Sequence, residues 1–192
     1  MASARSESHV MRTARTTSLL RLARSLARNR RGSAAVEFAM IAPVFFALLF
    51  AIIETAMVFF AGQLLETATQ DTARLILTGQ AQASGSPLTQ AQFKTKLCLA
   101  LNALFDCDGG IYVDVQSYAS FNAITMSDQI DASRNFNTTM QYKPGGAGDV
   151  VVVRVFYQWP LFVTGLGYNI ANINGSKRLL VGTAVFRNEP FA

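Results

Sequence analysis

Glu37 is the residue whose position most demands a chemical reason. It opens an apolar stretch, residues 38–61, in which Glu54 is the only other charged side chain. A carboxylate near the centre of a bilayer costs roughly 2.5–3.5 kcal/mol, and less at its edge. An anchor alone would be better served by Leu or Ala at 37, so the cost points to a partner for Glu37. Five positions earlier Gly32 follows a basic pair, giving Arg30-Arg31-Gly32-Ser33-Ala34-Ala35-Val36-Glu37-Phe38. Cys98 and Cys107 are the two cysteines, nine positions apart.

Other chemistry finds little footing. The one histidine, His9, precedes the apolar stretch, so a metal site built on two cysteines without histidine support is not expected. Asp106 with Asp108, and Asp128 with Asp131, flank turns, where solvated surface carboxylates are the default. No Ser, Thr or Lys stands at a spacing that implies an activated nucleophile. The glycines of segment 143–148 lack a following Lys-Ser/Thr and precede a strand, which argues against a phosphate cradle. An exported hydrolase is weighed and set aside, and no cofactor or small-molecule substrate is expected.

These residues need a positioning element, and residues 38–61 supply it, since about 20 apolar residues cross a bilayer. The formal charge of +5 is distributed around that span. Arg5, Arg12, Arg15, Arg21, Arg24, Arg28, Arg30 and Arg31 precede it, with Glu7 as the single acid among them. From Ser33 onward nine Lys/Arg face eleven Asp/Glu. Basic residues gathered in a leader rather than on a folded surface exclude nucleic-acid binding as the expected function. By the positive-inside rule the N-terminus is cytoplasmic and everything after about residue 60 is exported.

Three readings of the leader stay open. It has the Arg-rich, acid-poor character of a mitochondrial transit peptide. Leu19, Leu22, Ala23 and Leu26 recur at helical spacing, as in a basic helix lying on anionic lipid. Residues 1–18 also fit a basic tail that only sets topology, and the start could be Met1 or Met11. A secretory signal peptide fits poorly, because its apolar region would be about 7–15 residues and end in a small-x-small cleavage site.

The Gly32 to Glu37 arrangement resembles the processing site of type IV prepilins and pseudopilins. More specifically, the chain from Arg31 to about Arg74 resembles the TadE-like pseudopilins of the tight-adherence (Flp-type) pilus system. The residues that carry the resemblance are Gly32-Ser33-Ala34-Ala35-Val36-Glu37-Phe38-Ala39, Pro43 in the span, Glu54 near its end, and the segment from Gln63-Leu64 to Ala73-Arg74. The ending Thr183-Ala184-Val185-Phe186-Arg187-Asn188-Glu189-Pro190-Phe191 is also similar. The resemblance implies cleavage by prepilin peptidase between Gly32 and Ser33, with Glu37 at the fifth mature position. Glu37 would then neutralise the new Ser33 ammonium of an adjacent subunit. The implied partners are the bacterial inner membrane, the peptidase, other pilins or pseudopilins and the pilus assembly platform.

Sixteen residues lie between Glu37 and Glu54. They cover roughly 24 Å at helical rise, slightly short of a ~30 Å hydrocarbon core. Glu54 is accordingly read either as an interfacial carboxylate or as an interhelical contact. Pro43 removes the bond to the Ala39 carbonyl and is expected to kink the helix. Past the span Leu65, Ala68, Thr72 and Leu75-Ile76 keep helical spacing, with Glu66, Gln70 and Arg74 off that face. One long helix is predicted over 34–78, ended by Gly79.

Beyond the break at 84–87 a second helix is predicted over 88–105, with Thr89 and Gln92 as a capping box and Phe93, Leu97, Ala100, Leu101 and Leu104 as its apolar face. Val-, Tyr- and Phe-rich stretches predict strands at 111–118, 150–159 and 179–186. The expectation is an α+β, pilin-like protein: a long transmembrane helix extending into a small domain with a second helix and a three- or four-stranded antiparallel sheet. Its parts are a basic leader (1–32), the transmembrane and extended helix (33–79) and an exported, periplasmic α+β domain (80–192). Export to an oxidising compartment favours a Cys98–Cys107 disulfide, against a buried small hydrophobe at Cys98. The function expected is a minor pseudopilin, single-pass in the inner membrane. The alternative is an uncleaved membrane-anchored exported protein with a ligand- or partner-binding domain.

Overall fold

A computed structural model describes residues 32–101, 104–164 and 167–191. The readings of the leader up to Arg31 lie outside the described residues. Contacts divide the chain into two compact units, Met1–Leu49 and Phe50–Ala192. Helix α1 (Ser33–Leu77) contributes to both.

In the first unit α1 leaves Val36, Phe38, Met40, Ile41, Val44 and Leu48 exposed. So many exposed apolar side chains suit a lipid surround and not water. The helix is long and apolar enough to cross a membrane. It runs through Pro43 unbroken.

In the second unit α1 becomes one-sided. Val58, Ala61, Leu65, Ala68, Thr72 and Ile76 are buried at spacings of three and four, the period of a helix laid on a core. Gly79 stops it by taking a left-handed conformation, φ 77°. Helix α2 (Gln90–Leu101) starts with the anticipated capping box. The Thr89 N–H donates to Gln92 Oε1 at 2.9 Å, and the Gln92 N–H donates to Thr89 Oγ1 at 3.3 Å.

Strands β1 (Ile111–Tyr118), β2 (Val150–Pro160) and β3 (Lys177–Arg187) form an antiparallel sheet in the order β1-β2-β3. Val113, Val153 and Val155 point to the helices, joining Leu65, Phe93 and Leu97 in the main core. Phe156 and Leu179 point the other way, where Ile130, Phe136 and Met140 from the β1–β2 connection cover them. The unit is therefore three-layered: helices, sheet, irregular cover. Helix and sheet meet closely at Gly182, where a Cβ would lie 2.8 Å from the Leu65 carbonyl oxygen.

The α+β expectation holds, with three strands. The fourth is reduced to a single bridge, Tyr142 beside Val115. The second helix is shorter than the predicted 88–105. Cys98 and Cys107 approach to 5.9 Å between Cα atoms, whereas nine residues of continued helix would separate them by roughly 13 Å. The chain has to turn back. Ala100, predicted on the apolar face, is exposed, while Cys98 is buried against the core.

Candidate functional site

Gly32 immediately precedes α1, exposed, and a Cβ there would meet nothing within 4 Å. Ser33 is the first residue of the helix, and Glu37 lies exposed one turn in, next to exposed Phe38.

Glu54 is only 7% exposed, although it sits among exposed apolar neighbours on α1. Its carboxylate accepts the backbone N–H of Phe162 and that of Val163, the latter at 3.2 Å. Both belong to the turn that leaves β2. Backbone donors held by an ionised acceptor form the stronger class of hydrogen bond, each contributing about 1.5–3 kcal/mol. One helical residue further on, Thr55 Oγ1 lies 2.6 Å from the Tyr168 hydroxyl. The two readings of Glu54 from its spacing did not include this intrachain role. The pairing spans 108 residues and has no local sequence signal.

Glu66, expected off the packed face, turns to the sheet. Its Oε2 accepts the Thr183 N–H of β3 at 2.9 Å. The Leu179 N–H on the same strand donates to Asn172 Oδ1 at 2.7 Å. Side-chain acceptors thus occupy donors along the outer edge of β3, a position where an unpaired strand invites another to pair. Between α1 and this edge runs an open groove of about 630 Å³, lined by Val58, Phe59, Gly62, Glu66, Tyr168 and Val181 among others.

Asp114 and Arg154 face each other directly across β1 and β2. Arg154 Nη2 and Nε donate to Asp114 Oδ2 at 2.7 and 3.2 Å, and both side chains are buried. The other carboxylate oxygen accepts the Gln141 N–H at 2.9 Å, which ties the cover segment to β1. Opposite charges at the centres of two valine-rich strands were the available signal for this pair.

Cys98 and Cys107 are joined by a disulfide. It closes the end of α2 onto the approach to β1, and loops of that size contribute roughly 2–3 kcal/mol by restricting the unfolded chain. Asp106 Oδ1 accepts the Asp108 N–H at 3.1 Å, a turn-forming contact. Asp131 accepts the Asn135 N–H at 2.8 Å, and that bond holds its carboxyl below the usual range. Glycines 145 and 148 take positive φ in a loop that Asn188 fastens through the Pro144 and Gly146 carbonyls. Among the described residues no group of three or more His, Cys, Asp or Glu is arranged to hold a metal.

By class this is an α+β protein with one long amino-terminal helix as a candidate membrane anchor. Residues 32–74 match the family model described as TadE-like protein. The matched segment begins at Gly32 and takes in Glu37, Pro43, Glu54 and Glu66, and it points to a component associated with Tad pili. No curated protein and no solved structure matches the chain.

Proposed function

We propose that this chain is a minor pseudopilin of a tight-adherence type IV pilus system, processed by prepilin peptidase between Gly32 and Ser33. In this reading the protein is held in the bacterial inner membrane by α1, with the leader cytoplasmic and the α+β unit periplasmic. Its partners are the peptidase, other pilins or pseudopilins and the assembly platform. Glu37 neutralises the Ser33 ammonium of an adjacent subunit and so sets the register in which helices dock, and Pro43 loosens the helix for repacking.

The observation that carries the reading is the coincidence of three boundaries. The family match starts at Gly32, α1 starts at Ser33, and the one carboxylate of the first helical turns is Glu37. Gly32 is exposed and uncrowded, as a peptide bond awaiting a protease must be. A pairing between Glu37 and an ammonium would be strong in a dry helix bundle and weak in water, which suits assembly inside the membrane. Glu37→Ala tests the assembly role. The variant should be cleaved normally and fail to support pilus formation; pilus formation at the wild-type level by this variant would remove Glu37 from the account.

A further inference from the structure

We infer that the turn 161–164 is a membrane-dipping tip: Phe162 enters the bilayer boundary beside α1, at the depth of Glu54, and holds the α+β unit against the lipid surface. This rests on the reading of α1 as a membrane anchor and adds a second lipid contact to it.

The argument begins with where α1 changes character. Ile52, Ile53, Met57, Phe59 and Phe60 are exposed, and Phe59 is 70% exposed. The next exposed residues, Gln63, Thr67, Gln70 and Asp71, are polar. The apolar surface therefore ends just past Phe60, and Glu54 lies about 9 Å on the lipid side of that limit at helical rise. Counted from Glu37 to Phe60 the span measures roughly 34 Å, enough for a ~30 Å core, where the distance from Glu37 to Glu54 falls short.

A carboxylate at that depth must be satisfied without water, and so must any irregular backbone beside it. Glu54 and the amides of Phe162 and Val163 satisfy each other. With its backbone so held, Phe162 is left 84% exposed, the most exposed large apolar residue among the described residues. Tyr168 reaches the same level through Thr55. An aromatic ring with its polar partner nearby is the side chain favoured at membrane boundaries.

The sequence of the connection agrees. Between Pro160 and Lys177 there is no Asp, Glu, Lys, Arg or His. A water-facing connection of that length would ordinarily carry charge, and this one does not until it rejoins β3 at Lys177 and Arg178. Continuity with the exposed apolar band of α1 identifies lipid as the occupant of this surface, ahead of a second copy of the chain.

The test labels single cysteines in the full chain with an environment-sensitive fluorophore, after reconstitution in phosphatidylethanolamine–phosphatidylglycerol vesicles. Both native cysteines are occupied by the disulfide, so an introduced thiol is labelled selectively without reductant. Phe162→Cys alters a side chain outside the core. Leu48→Cys reports the span, Phe59→Cys its boundary and Asp71→Cys the aqueous side. Lipid bearing a shallow quencher should diminish emission at 162 as much as at 59, while aqueous iodide affects 71 far more than 162. A label at 162 that responds to iodide like 71 and ignores the lipid quencher overturns the inference. So does one shielded from both quenchers that forms 162–162 crosslinks, which would make the tip a contact between copies. If Leu48→Cys is also untouched by a quencher carried deep in the acyl chains, the anchor reading itself falls; if only 162 fails, the anchor stands and the tip does not.

Discussion

Glu54 and Val163 are joined by a hydrogen bond of 3.2 Å from the backbone N–H of one to the carboxylate of the other, across 109 residues of chain. Together with the Phe162 amide this makes the second carboxylate of the apolar helix a clasp for the turn that leaves β2. The charge that looks costly in a membrane helix is thereby used within the chain.

Removing that acceptor should free the turn. Glu54→Ala is expected to destabilise the protein by about 1–3 kcal/mol, since it leaves two part-buried donors without their acceptor. Glu54→Gln, which keeps a neutral oxygen, should cost less. Amide exchange of Phe162 and Val163 in the detergent-solubilised chain checks this directly. Unchanged protection of those two amides in Glu54→Ala would show that the clasp is not what holds them.

The Asp114–Arg154 pair makes an asymmetric prediction. Losing one partner strands a buried charge, so Asp114→Ala or Arg154→Ala alone should cost about 3–5 kcal/mol. Replacing both with apolar residues of similar volume should cost far less than the two single changes summed. Denaturant midpoints for the four chains measure the coupling. Additive effects would mean the charges are stabilised separately, through Gln141 and the carbonyl of Ser127, which accepts from Arg154 Nη1 at 3.3 Å.

Tyr142 carries the alkaline prediction. Burial pushes its hydroxyl up to about 12, and among the described residues that oxygen has no hydrogen-bond partner. The folded chain therefore holds this proton more tightly than the unfolded chain, in which the group titrates near its ordinary value of 10.0. The contribution is fully present below pH 10 and is lost as pH rises toward 12. Thermal unfolding measured across that window should show a decline that Tyr142→Phe reduces. An identical decline in the variant would assign it to other groups.

Local features were legible in the sequence because they are encoded by neighbours. Gly79 ends α1 through its own backbone freedom, and Thr89 and Gln92 cap α2 across three residues. Strands announced themselves by runs such as Val150-Val151-Val152-Val153, which only a sheet buried on both faces would accept. What escaped was set by distant chain. Glu66 looked like a solvent-facing residue by helical spacing, and it is the nearness of β3 at Gly182 and Thr183 that gives it a partner. The predicted helix overran because the disulfide needs the chain to turn back, and α2 ends at Leu101. In the candidate site, Gly32, Ser33 and Glu37 stand in one contiguous motif that the sequence displays by itself, while the clasp at Glu54 depends on a turn more than a hundred residues away.

The mature amino terminus tests the central claim most directly. Sequencing the amino terminus of the protein isolated from the membrane fraction of cells that contain prepilin peptidase should return Ser33-Ala34-Ala35-Val36-Glu37. An intact leader, still carrying Arg30-Arg31-Gly32 in the same cells, would contradict the processing on which the pseudopilin reading depends.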